Sequence, residues 1–314
     1  MSLRFLVESH YARVRGDAEF WRPHIEEIAS RHGLSMSTYE PPLGDATNAV
    51  FFVGDVIVKI YTPFFHGRES KGMEPAALRA LATDSTLPVP KVKATGELFV
   101  KSGDWNWPYA VLTRVPGRVL EADWAGMGVE ARLQYLRELG GVLAKIHKIP
   151  PTSELGEAYR KLWPLGFQNF LARQLEELKN HPETVGLPIA ENVRDFQLPP
   201  IPSGWPMILH GDIEPAHLFH ENGRFSGIVD FGDAKLGDPL YDFVAIRLSI
   251  AQDRTSLDAL FDAYGSDPRT TDEGRLKLGL YTILHEWTTM KDLTRWCARS
   301  GVRTIEELGH WLWT

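Results

Sequence analysis

Residues 208–242 read ILHGDIEPAHLFHENGRFSGIVDFGDAKLGDPLYD, and this stretch decides the fold. Two acids, Asp212 and Asp230, stand eighteen positions apart at the ends of apolar runs. Between them, residues 216–219 and 225–229 flank the turn Glu221-Asn222-Gly223-Arg224. Asn-Gly between apolar runs is a strong signal for a tight β-hairpin. A hairpin returns its second strand to the start of its first, which brings Asp230 near Asp212. Two carboxylates beside His210 and His217 suit a hard divalent cation and the handling of a proton. The alternative is a polar hairpin with solvated acids. Placing polar groups at the ends of apolar runs without a purpose is costly, which weighs against it.

Working outward, composition bounds the rest. The chain has 314 residues, 43% hydrophobic and 24% charged, as expected of a globular protein larger than one typical domain. It contains no apolar run long enough to span a membrane, and the short apolar start is soon interrupted by Glu8. A single cysteine, Cys297, excludes an internal disulfide and fits a reducing cytoplasm. The net charge of -7 falls mostly after Thr113, which argues against nucleic acid and is compatible with a cationic small substrate. A solubility charge would have the same sign.

Upstream, Asp17 to His32 reads as a helix stopped by Gly33. Residues 51–53 and 56–60 read as paired strands about Gly54-Asp55. The loop before them contains Gly44, Thr47 and Asn48, small residues whose backbone amides could approach a phosphate, although short glycine loops are common turns. Lys59 sits in an apolar strand and either snorkels to the surface or points at an anion; the surface is the default. Residues 74–82 read as a helix with Pro75 in its first turn and Glu74 at its start. Glu74 could pair with Lys59 or simply favour the helix dipole. Residues 92–100 and 109–114 read as further strands, and Pro116-Gly117 closes the last one. Val129 to His147 reads as a helix burying Leu133, Leu136, Leu139, Gly140, Leu143 and Ile146. More helices are expected from 154 to 200, notably 167–180, and again from Tyr241 onward. The expected architecture is α+β: a β-rich first lobe, residues 1–114, and a mostly helical second lobe, residues 115–314. Donor loop, strand lysine, helix glutamate and two aspartates together suit phosphoryl transfer, which depends on positioning and charge neutralisation.

The run His210-Gly211-Asp212, His217, Asp230-Phe231-Gly232-Asp233 resembles the catalytic and metal-binding loops of the aminoglycoside phosphotransferase family, a branch of the protein-kinase-like fold. The resemblance extends over roughly residues 17–314 and is strongest toward members of the hygromycin B type. It implies a bilobal fold, ATP or GTP as phosphate donor, Mg²⁺, and a hydroxylated small-molecule acceptor. It implies that Lys59 contacts phosphates, Glu74 holds Lys59, and the backbone around Thr113 and Val115 receives the base. It implies that Asp212 orients the acceptor hydroxyl, Asp230 ligates the metal, and Glu286 contacts a substrate amine. His210 is expected to hold the catalytic loop, with Asp238 and Asp242 as braces. One position departs from the pattern: the family places Asn where this chain has His217. An imidazole nitrogen suits softer metals than Mg²⁺. His217 therefore reaches the metal, or hydrogen-bonds Asp212 or a phosphate, or leaves the enzyme impaired as a binding module. Macrolide phosphotransferases carry His at this place too, so a macrolide or another hydroxylated metabolite is the alternative acceptor.

Overall fold

The computed structural model describes residues 6–41, 46–99, 105–199 and 206–314. Two compact units emerge: Met1–Pro116 with Gly227–Asp233, and Gly117–Ser226 with Ala234–Thr314. The expected single cut after residue 114 is therefore corrected, because residues 227–233 return to the first unit. The Ile228 N–H donates to the Pro88 carbonyl at 3.0 Å. Gly227 allows this approach: a Cβ there would stand 2.6 Å from the Pro88 oxygen and 2.4 Å from Val115.

In the first unit, α1 (Glu8–Val14) and α2 (Ala18–His32) precede a five-stranded antiparallel sheet. The Asp17 carboxylate caps α2 by accepting from the N–H groups of Glu19 and Phe20, and Gly33 ends it in the left-handed region. α1 was not expected. The strands are β1 (Tyr39–Glu40), β2 (Ala49–Val53), β3 (Val56–Ile60), β4 (Val92–Glu97) and β5 (Pro108–Thr113), ordered β1-β2-β3-β5-β4. Register places Phe51, Val58 and Val111 abreast, with Ala49, Ile60 and Tyr109 beside them. These residues bury one face of the sheet in a core with Tyr11, Trp21, Ile25 and Ile28 of the two helices. Strand periodicity puts Lys59 on the opposite face. There α3 (Gly67–Leu81) supplies Glu74.

α3 begins seven residues before the expected start, so Glu74 and Pro75 are mid-helix rather than in the first turn. Proline there leaves the carbonyl of Lys71 without its helical donor. Lys71 is exposed, so water can serve that oxygen.

The second unit is largely helical. It contains α4 (Val129–Ile146), α5 (Ser153–Leu162), α6 (Gly166–Asn180) and α7 (Ala190–Asp195). After the hairpin come α8 (Asp242–Ser249), α9 (Arg254–Tyr264), α10 (Asp272–Leu284), α11 (Met290–Ser300) and α12 (Ile305–Trp313). α4 buries Leu136, Leu139, Leu143 and Ile146 completely, each contributing roughly 1.5–3 kcal/mol. Gly140 lets α4 approach α9, since a Cβ would lie 2.3 Å from the Leu260 carbonyl. Short strands frame the loops: β6 (Arg118–Val119), β7 (Met207–Leu209), β8 (Leu218–Glu221), β9 (Arg224–Ile228) and β10 (Lys235–Gly237). The hairpin forms as expected, with Asn222 at φ 52° and Gly223 at φ 79° making the turn that matches strand twist. No helix among the described residues is long and apolar enough to cross a membrane. Cys297 is buried.

Candidate active site

Two clusters carry the chemistry-bearing side chains, one in each unit. In the first unit Lys59 is 4% exposed, so the surface expectation fails. Its ammonium lies 2.9 Å from Glu74 and 2.7 Å from Asp230. Burial alone would push the lysine pKa down, but the two carboxylates more than offset it and hold Lys59 charged. Glu74 is raised above the usual carboxyl range, chiefly by burial, with Lys59 opposing. Tyr61 donates its hydroxyl to Glu74 at 2.9 Å. Sequence reasoning missed Tyr61, although its position two residues beyond Lys59 is the spacing of a shared strand face.

Asp230 adopts φ 64°, a region that non-glycine residues rarely occupy. Its carboxylate accepts from the Gly232 N–H at 3.3 Å as well as from Lys59. Backbone conformations of this kind concentrate at functional sites. With its side chain 37% exposed, Asp230 presents hard oxygen donors that fit Mg²⁺.

Other first-unit expectations fare differently. Gly44 lies outside the described residues. Asn48 is buried, and its side-chain oxygen accepts from the Thr62 N–H at 3.1 Å, which ties the start of β2 to the end of β3. The Thr47 carbonyl accepts from the Tyr11 hydroxyl at 2.7 Å. The Thr113 N–H donates to the Lys91 carbonyl at 2.9 Å. The Lys91 N–H returns to the Thr113 hydroxyl at 2.8 Å. The Thr113 N–H is therefore engaged by the residue that precedes β4. The Val115 side chain packs on Gly227.

In the second unit a buried carboxylate shapes the loop that bears Asp212. Asp242 accepts from the backbone N–H groups of His210 and Gly211, both at 2.8 Å. The His147 Nε2–H donates to the same carboxylate at 3.1 Å, and the Tyr264 hydroxyl lies 3.0 Å from His147 Nδ1. Burial raises the Asp242 pKa, but His147, His210 and the Gly211 N–H outweigh it and hold the carboxyl below its usual range. His210 is fully buried, and its Nδ1 accepts from the Asp212 N–H at 3.2 Å. This is a bond of the kind expected of His210 if it holds the loop. Asp242 is a brace, as expected; Asp238 is not. Asp238 caps its own turn at Leu240 and meets Tyr281 and Lys277 instead.

The His217 Nδ1–H donates to the Asp212 carbonyl at 2.9 Å and lies 3.5 Å from the Asp212 carboxylate. Of the three roles considered for His217, this geometry supplies the bond to Asp212. Its Nε2 lies 3.8 Å from Glu214, and Asp212, Glu214 and His217 each place a ligand-capable atom within 4.8 Å of the others. Glu286 does not stand alone, because it forms an ion pair with Lys235. His147 and Lys235 went unassigned in the sequence, since their partners lie 95 and 51 residues away.

A model of the phosphotransferase enzyme family matches residues 38–277. The chain belongs to the phosphotransferase enzyme family. YcbJ of Bacillus subtilis (strain 168) is 27% identical over 126 residues, which is 39% of this chain and 40% of YcbJ. The match thus spans well under half of that curated relative. The GDP and kanamycin complex of APH(2″)-IIIa is similar at TM-score 0.64 and 18% identity, over 83% of this chain and 88% of that one. The apoenzyme of macrolide 2′-phosphotransferase MphH from Brachybacterium faecium is similar at TM-score 0.55 and 20% identity, over 92% and 97%. The fold is that of the aminoglycoside phosphotransferases, with a β-sheet N-terminal region and a helical C-terminal part, and the phosphotransferase is an enzyme of protein-kinase-like architecture.

Proposed function

We propose that this phosphotransferase moves the γ-phosphate of ATP or GTP to a hydroxyl of a small-molecule acceptor of the aminoglycoside type, hygromycin B among them. The reading is carried by one observation: Lys59 is buried, charged, and held between Glu74 and Asp230. A lysine fixed in this way is a fixed cation for phosphate oxygens. Glu74 and Tyr61 keep it in place. Asp230 is the residue that would hold Mg²⁺, which when bound neutralises charge on the transferred phosphoryl group. Asp212 orients the acceptor hydroxyl and takes its proton. Asp242, His210 and His217 hold the Asp212 loop from the N–H, imidazole and carbonyl sides respectively. The backbone at Val115 receives the base. Three groups thus divide the work: a cation for the donor, a carboxylate for the metal, and a carboxylate for the acceptor.

A macrolide or another weakly charged hydroxylated molecule is the second reading. It is favoured by Lys235, which cancels the charge of Glu286.

The test is an ADP- or GDP-release assay on the purified protein across a panel of hydroxylated acceptors, with wild type and Asp212→Asn side by side. Turnover by wild type should fall about 10²–10⁴-fold in Asp212→Asn. Nucleotide affinity and melting temperature should stay near wild type. Undiminished turnover in Asp212→Asn rejects the assignment. Nucleotide binding by wild type with no transfer to any acceptor identifies a binding module instead.

A further inference from the structure

Lys235 and Glu286 form an ion pair within the second unit that phosphoryl transfer does not use. Both are tied to the scaffold that carries Asp212. Lys235 opens β10, and the β10–β7 register sets it opposite Leu209, three residues before Asp212. The Glu286 N–H donates to the Tyr241 hydroxyl at 3.2 Å, and Tyr241 adjoins Asp242, the brace of the Asp212 loop.

Lys235 is closely held. It is 3% exposed, and its ammonium lies 5.2 Å from the ring centre of Phe170 and 5.7 Å from that of Tyr241. Attraction to both rings adds to the pairing with Glu286. The Glu286 side chain keeps a 16% exposed edge, so the pair is reachable from solvent on the carboxylate side. His285, stacked on Tyr241 at 4.6 Å, is kept neutral by burial and by Lys235. The positive charge beside Glu286 is therefore that of Lys235.

A carboxylate next to an acceptor site recognises a protonated amine when its charge is uncompensated. A carboxylate already paired with a fixed internal cation offers hydrogen-bond acceptance but little net charge. We propose that Lys235 is a specificity-determining residue, which neutralises Glu286 and so turns acceptor choice away from polycations toward neutral or weakly charged hydroxylated molecules. This rests on the phosphotransferase reading above and, of its two acceptor classes, selects the second, the weakly charged hydroxylated molecule, over the aminoglycoside type.

The experiment is equilibrium binding of kanamycin, a polycationic probe, measured by titration calorimetry with saturating nucleotide at low and high salt. Wild type, Lys235→Met, Lys235→Gln and the double variant Lys235→Met/Glu286→Gln are compared. Exposing the Glu286 charge should tighten kanamycin binding about tenfold or more in both single variants and steepen its salt dependence. The double variant should return to the wild-type level. Lys235→Gln keeps a hydrogen bond to Glu286 and serves if Lys235→Met melts early. Single variants that bind no tighter than wild type overturn the proposal, as does tightening that persists in the double variant. Because the readout is binding, a charge switch without phosphate transfer would sink only the phosphotransferase reading. Transfer without the switch would sink only this inference.

Discussion

The two clusters solve opposite problems. In the first unit, charge meets charge: Lys59 sits between Glu74 and Asp230, and these neighbours shift the ionisation of Lys59 and of Glu74. In the second, charge meets backbone: Asp242 spends its oxygens on two amide N–H groups and one imidazole to fix the course of a loop. The first arrangement places an electrostatic field and can adapt by moving a proton. The second places a geometry and has little to adapt with. Buried ion pairs contribute modest net stability, whereas an unsatisfied buried amide is expensive.

The sharpest way to break this comparison is Asp242→Ala. It leaves the N–H groups of His210 and Gly211 and the His147 imidazole without their acceptor, and should cost about 3–5 kcal/mol in urea denaturation. A loss below about 1 kcal/mol would mean that water replaces the carboxylate easily.

Acid titration sharpens the picture of the second unit. His285 is fixed neutral, pushed down from 6.5 to about 3 by burial and then by Lys235. A histidine with a lowered folded pKa takes up its proton first in the unfolded chain. Stability therefore falls as pH drops below 6.5 and levels off near 3. At pH 4 the loss should reach about 3 kcal/mol, and His285→Phe, which can keep the stack on Tyr241, should remove it. Asp242 adds to the same acid limb with its lowered carboxyl pKa. Its contribution is present above the ordinary carboxylate range and is lost as pH falls through the folded value. An unchanged acid limb in His285→Phe would refute the assignment.

Lys59→Met should cost less stability, about 2 kcal/mol near neutrality, because Glu74 is already raised and can take up a proton in place of its lost partner. The deficit relative to wild type should shrink as pH falls and Glu74 becomes neutral. A deficit that grows on acidification would contradict the adaptable first-unit network. Nucleotide affinity measured alongside should drop. The smallest effect belongs to the hairpin: Asn222→Ala, at φ 52°, should cost about 1 kcal/mol by thermal melting, with both clusters unaffected.

What was legible in the sequence follows from range. The Asn222-Gly223 turn and the Gly33 stop are encoded by neighbours, and each appears where it was read, whereas Asp17, read as the first helical residue, caps the helix instead. α3 was read short because Gly67, Ser70 and Gly72 are weak helix formers. Burial of Gly67, Ser70 and Met73 accompanies the extension. Lys59 looked like a surface residue until α3, a separate element, supplied the Glu74 carboxylate as its partner. Asp238 and Asp242 are alike in sequence, yet only Asp242 meets the loop, and no local pattern distinguishes them. Likewise the use of the Thr113 N–H depends on Lys91 across an antiparallel pair. The signal for His217 was real, but its bond runs to a carbonyl, a partner that side-chain motifs do not record.

The return of residues 227–233 to the first unit has a consequence for biosynthesis. A ribosome that has released the first 116 residues has made the sheet and Lys59 but not the segment that bears Asp230. That unit stays incomplete until a further stretch, itself belonging to the second unit, has emerged. The two units are therefore interleaved in time. The lysine waits through 171 residues, more than half of the chain, for its second carboxylate, and a fragment cut at the apparent boundary would carry a buried cation with only one of its two anions.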